Sequence, residues 1–218
     1  MNTTIAAAEV EPLHPGNWPN EQRAALVVAA LKRRHFQAQY APSSAAAIDA
    51  ILAMLPEAAS VFRSESTTLD QLDVLAKLRA NGKHKVTYVC ETDHLGRSVH
   101  GDLANDPALR ATLERQAFFA DVFLTSATAV TIDGHIVSGG AHGKGVAPMI
   151  FGPAMVIVVL GMNKIVKDKQ AAFERVAALH GGGQDPRLSY NSTGMLESAL
   201  PRFSERINVI LVGEDLGR

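Results

Sequence analysis

Three short stretches of this chain gather residues able to do chemistry. Thr125-Ser126-Ala127-Thr128 offers hydroxyls. Gly139-Gly140-Ala141-His142-Gly143-Lys144-Gly145 offers open backbone, an imidazole and an ammonium group. Gly161-Met162-Asn163-Lys164 adds an amide and a second ammonium. Glycine lets the backbone come close to a ligand and aim its N–H groups at it. The lysines add formal charge and the hydroxyls of Thr125, Ser126 and Thr128 add short hydrogen bonds, so the set suits a small anion. His142, inside the glycine-rich run, is a candidate general base because imidazole titrates near neutral pH. The plainer reading of that run is a tight turn. It does not match GxxxxGK[ST], since Gly145 follows Lys144, nor GxGxxG, so no cofactor is implied.

A second candidate is Glu91-Thr92-Asp93-His94. His94 can act as a base oriented by Asp93 or Glu91, or Asp93, His94 and His100 can ligate a metal. The competing reading is a solvated polar loop. His14, His35, His84 and His180 read as surface residues, and Cys90 as a small core residue rather than a nucleophile. Asp121 reads as structural, and Glu214-Asp215 either cap the fold or line the site.

These stretches need a scaffold to bring them together. The pattern predicts helices over residues 21–37, 45–55 and 67–80, and strands over 59–63 and 86–90. A helix over 106–120 follows, with Asp106 as cap and Pro107 in its first turn. Then come a strand over 122–126, a hairpin over 129–137 turning at Asp133-Gly134, and a short helix over 146–151. A buried strand over 155–160, a helix over 167–179 and a final strand over 207–212 complete the order; residues 181–206 show no clear element. Alternating helices and strands predict a three-layer αβα fold with a mostly parallel sheet and a β-hairpin insertion. Residues 1–19 read as an N-terminal extension and 20–218 as one domain. Open α/β sheets bind ligands beyond the carboxyl ends of their strands, which is where all three stretches would fall.

Bulk properties exclude several classes. With 21 basic and 22 acidic residues there is no electrostatic footprint for nucleic acid or an anionic membrane. One cysteine rules out an internal disulfide and argues against a cysteine-ligated metal or cluster within the chain. The start lacks a secretion-signal pattern and no apolar run spans a bilayer, so the cytoplasm is the default compartment.

The segment FFADVFLTSATAVTIDGHIVSGGAHGKGVAPMIFGPAMVIVVLGMNKIVKD and the ending RINVILVGEDLG resemble the LUD domain of lactate-utilisation proteins. The resemblance implies a fold like that of ribose-phosphate isomerases, glucosamine-phosphate deaminases and CoA transferases. It also implies a link to lactate oxidation alongside iron–sulfur partner proteins. Family members commonly carry Gly-Gly-Ser-x-Thr before the second long helix. Ser64-Glu65-Ser66-Thr67-Thr68 keeps the Ser and Thr of that motif, which makes Ser66 and Thr68 candidate binding residues. Gly143-Lys144-Gly145 stands where Gly-Asn-Arg is usual, and the cysteine-rich stretch of small family members is absent.

The leading expectation is an enzyme that binds a hydroxy acid or sugar-phosphate-like metabolite for isomerisation, proton transfer or acyl transfer. Lys144, Lys164, Asn163 and the glycines 139, 140, 143 and 145 would bind; His142, Glu65, Asp93 or His94 would move protons. The alternative is a non-catalytic subunit of a lactate-oxidising complex, and a metal-dependent hydrolase is third. Self-association is compatible with the long N-terminal arm.

Overall fold

The computed structural model describes residues 19–180 and 191–218. In chain order the strands are β1 (Gln37–Ala41), β2 (Ser60–Arg63), β3 (Lys85–Thr87), β4 (Val122–Thr125), β5 (Ala129–Thr131), β6 (Ile136–Ala141), β7 (Met155–Gly161), β8 (Ile165–Val166), β9 (Asn191–Leu196) and β10 (Ile207–Val212). The helices are α1 (Asn20–Arg33), α2 (Ser44–Met54), α3 (Thr67–Gln71), α4 (Val74–Asn81), α5 (Pro107–Arg115), α6 (Ala147–Ile150) and α7 (Lys169–His180). Six strands form one sheet in the order β1-β10-β7-β4-β2-β3, with every pairing parallel.

Strands β7 and β10 are continuous apolar runs because both sheet faces are covered. On one face Val156, Val158, Val209 and Leu211 pack with Ala24, Val27 and Leu31 of α1 and with Val130 and Ile136 of the hairpin. On the other, Ile157, Val159 and Ile210 pack with Ile48 and Ile51 of α2 and with Leu69, Val74 and Leu78 of α3 and α4. The three-layer α/β architecture follows from that alternation.

The hairpin insertion is larger than its sequence signal. A second sheet runs β8-β5-β6-β9, and α7 covers it through Ala172 and Val176. At the hairpin turn Gly134 has φ +89°, and a Cβ there would lie 2.8 Å from the carbonyl carbon of Ala30. Only glycine meets both demands.

Several elements differ from the sequence expectation. Helix α1 stops at Arg33, with His35 left-handed at φ 64°, and the chain then forms the edge strand β1. The expected helix over 67–80 breaks at Asp73 (φ 53°) into α3 and α4, which lets Leu69, Leu72, Val74 and Leu78 all be buried. Strand β3 ends at Thr87, so Cys90 lies beyond it and is exposed rather than core. Residues 191–196 form β9, and Gly139 and Gly140 pair with it as strand β6, not as turn. Most of the N-terminal extension and residues 181–190 lie outside the described residues. Among the described residues no helix is long and apolar enough to cross a membrane.

Candidate functional site

The carboxyl ends of β2, β4 and β7 open into two adjoining lobes of a cleft, about 290 and 300 Å³ in volume. Ser64, Glu65, Gly139 and Gly145 line both lobes.

The first lobe is lined by hydroxyls around Lys164, with Ser66, Thr68, Thr125, Ser126 and Thr128 on its walls. Lys164 follows β7 on a short turn and is only 5% exposed. Its Nζ lies 2.8 Å from Thr68 Oγ1, 3.0 Å from Ser126 Oγ and 3.2 Å from the Ala127 carbonyl oxygen. No carboxylate pairs with it among the described residues. Burial, helped by the nearby Arg175 charge, pulls its pKa down from 10.5 to about 8. Beside it, Ser64 Oγ bonds Thr125 Oγ1 at 2.9 Å, and Thr128 Oγ1 accepts the Gly139 N–H at 3.1 Å.

The last residues of the chain close over this lobe. A Cβ on Gly217 would fall 2.4 Å from Thr68 Oγ1 and 2.9 Å from Lys164 Nζ. Asn163 is a strut for this segment, its Oδ1 accepting the Leu216 N–H at 3.1 Å. Glu214 accepts from the N–H and hydroxyl of Ser44 at 2.7 and 2.6 Å, which ties the segment to α2. Asn163 and Glu214 therefore position the wall of the site rather than face its contents.

The second lobe is charged. Glu65 accepts from Lys144 and Arg110, each at 3.1 Å, and Glu114 accepts from the same two groups at 2.9 and 3.0 Å. Two cations and two carboxylates balance. Burial opposes the Lys144 charge, but its bonds to Glu114 and Glu65 outweigh that and hold its pKa above the usual value. Burial likewise opposes ionisation of Glu65, yet the Cys90 thiol bond and the Lys144 and Arg110 charges hold it below the usual range. Glu65 is thus held as a carboxylate by its cation partners, and Lys144 already pairs with two carboxylates. Cys90 is pushed up by desolvation and by Glu65. Arg63, 1% exposed, pairs with Asp70 and lies 4.1 Å over the Tyr88 ring. Its Nε and Nη1 have no partner among the described residues, so it keeps donor capacity next to this lobe.

Five sequence candidates fall outside the cleft lining: His142, Asp93, His94, Gly143 and Asn163. Because β6 runs on through Ala141, His142 lies on the following turn, exposed and left-handed at φ 58°. Gly143 sits on the turn that leads into α6, its carbonyl accepting from the N–H groups of Val146 and Ala147. Asp93 closes its own loop, accepting from Leu95 N–H, Arg97 N–H and the Arg97 guanidinium, which lowers its pKa. Glu91 is turned to Arg79 and His94 is exposed. Among the described residues no three His, Cys, Asp or Glu side chains are placed to hold a metal. Arg63, Arg110, Glu114 and Arg218 belong to the site or its frame and carry only weak sequence signals. One is an arginine closing a core strand; another pair shows i,i+4 charge spacing on α5.

The LUD domain family model matches residues 24–213. The chain belongs to the LUD-domain family. A crystal structure of a DUF162 family protein from Deinococcus radiodurans resembles this LUD domain, with a TM-score of 0.55 and 16% identity. The likeness covers 89% of this chain and 99% of that one, and at such identity it speaks to the fold. The comparison with curated proteins returned no match.

Proposed function

We propose that this LUD domain is a metabolite-binding subunit of a lactate-utilisation system. It would hold the anion of a small hydroxy acid or oxo acid in the strand-end cleft. The observation that carries this reading is Lys164, a buried cation without a counter-charge among the described residues, facing a hydroxyl-lined lobe. A ligand carboxylate there would supply the missing charge, and Thr68 and Ser126 would orient it. A lobe of about 290 Å³ suits a small acid. The chain has one cysteine, so the reading gives the electron carrier of any oxidation to an iron–sulfur partner.

Thermal melting against lactate, pyruvate and a sugar phosphate tests this. A ligand at a hundred times its Kd adds about 2.7 kcal/mol of stability. Stabilisation by the small acids supports the reading. No shift with any of them, or a shift with the sugar phosphate alone, refutes it.

A second reading, that the domain itself performs chemistry on such a metabolite, is favoured by the same lysine. An amine with a pKa of about 8 is poised to move protons near neutral pH.

A further inference from the structure

Anion binding leaves one detail of the lobe without a use, namely the way Lys164 is joined to Ser126. A neutral amine has two N–H donors and one lone pair. The Ala127 carbonyl oxygen can only accept, and it takes one N–H at 3.2 Å. Thr68 Oγ1, at 2.8 Å, takes the other. As an ammonium Nζ also donates to Ser126 Oγ, 3.0 Å away. Once deprotonated it turns its lone pair to that oxygen and can take the hydroxyl proton, in place of the longer 3.3 Å contacts of Ser126 Oγ to Thr68 Oγ1 and the Ala127 carbonyl. Burial is graded to match. Lys164 is buried, while Ser126 is half-buried and lines the lobe, so an entering molecule meets the hydroxyl with the amine behind it.

We propose that Ser126 is a nucleophile and Lys164 its general base, a pair that accepts the acyl group of a small activated ester or thioester. Ser126 Oγ bonds to the acyl carbon as its proton passes to Lys164 Nζ. The bond from that carbon to the leaving oxygen or sulfur breaks, and Nζ returns the proton to the leaving group. Water then attacks the acyl-serine, gives a proton to Nζ, and the carboxylic acid departs as Ser126 recovers its hydrogen. No oxidant or metal is required. A pKa of about 8 leaves roughly a tenth of the amine neutral at pH 7 and half at pH 8, a working fraction of base. The small carboxylate released is of the class assigned to this cleft above. The inference therefore rests on the cleft being a ligand site, but not on lactate being its ligand.

A fluorophosphonate probe tests the pair on the full chain, since an activated serine displaces its fluoride and keeps the phosphonyl group. Peptide mass mapping should place the adduct on Ser126. Labelling should rise about tenfold between pH 7 and pH 9, following the neutral amine. Lys164→Met should slow labelling by about 100-fold, and Ser126→Ala should abolish it. No adduct on Ser126 of the folded wild-type chain overturns the pair, as does a pH-independent rate, which needs no variant to fold. Stabilisation by lactate without labelling of Ser126 refutes the pair and keeps the anion reading. Labelling without anion binding does the reverse.

Discussion

Replacing Lys164 with methionine should make the protein more stable at neutral pH, even though three hydrogen bonds go with the amine. The buried ammonium group has no counter-charge among the described residues, and its pKa falls from 10.5 to about 8. At about 1.4 kcal/mol per tenfold change in protonation, the charged form costs on the order of 3 kcal/mol in the fold. Methionine is of similar length and uncharged. The hydroxyls of Ser126 and Thr68 already stand 3.3 Å apart, and Ser126 Oγ reaches the Ala127 carbonyl at 3.3 Å. The groups left behind can thus pair with one another, and the loss is about 1 kcal/mol. The net gain is about 2 kcal/mol, or roughly 4–8 °C in Tm for a chain of this size. The pH dependence follows from linkage. Unfolded, the lysine stays protonated up to about 10.5; folded, it releases its proton at about 8. Between those values the unfolded state binds more protons, so wild-type stability rises with pH and the advantage of the variant closes. Below pH 8 both states are protonated and the full penalty stands. Thermal melts of both proteins at pH 7 and near pH 10 measure this. A variant less stable than wild type at pH 7, or a difference unchanged at pH 10, refutes the view of Lys164 as an uncompensated buried charge.

Three more outcomes follow. Cys90, though exposed, should react with iodoacetamide more slowly at pH 7 than a free cysteine. Glu65→Gln should speed it by removing the carboxylate that disfavours the thiolate; an unchanged rate would count against the Glu65–Cys90 contact. Gly134→Ala should lower stability by about 2 kcal/mol or more, because φ is +89° and the new methyl meets the Ala30 backbone. A melt within 1 °C of wild type contradicts that packing. Gly217→Ala should push the final residues off Thr68 and Lys164, let water reach the amine, and move the midpoint of Ser126 labelling above pH 8. A midpoint unchanged in the variant removes the sealing role given to that segment.

The core strands are legible in the sequence because burial on both faces demands unbroken apolar runs, and residues 207–212 stand out at their true bounds. Edge strands are not. In Gln37–Ala41 two glutamines interrupt the apolar positions, and among the described residues Asn191–Leu196 pairs on one side only, so neither needs a strong pattern. Within the site, Thr125, Ser126 and Lys164 were readable as residues just past strand ends, where chain direction alone puts them in the cleft. The depth of Lys164 was not, since it depends on the final residues folding back over it. His142 misleads because a glycine pair that reads as turn is strand, which carries the bend two residues further. Arg97, four residues after Asp93, is the local signal that Asp93 is engaged within its own loop.

The most direct test of the Lys164-centred cleft is isothermal titration of lactate and pyruvate into the wild-type chain and into Lys164→Met. Saturable binding of at least one acid to the wild type, lost in a folded Lys164→Met protein, is the expected result. No binding to either protein, or equal binding to both, would contradict the assignment of that cleft.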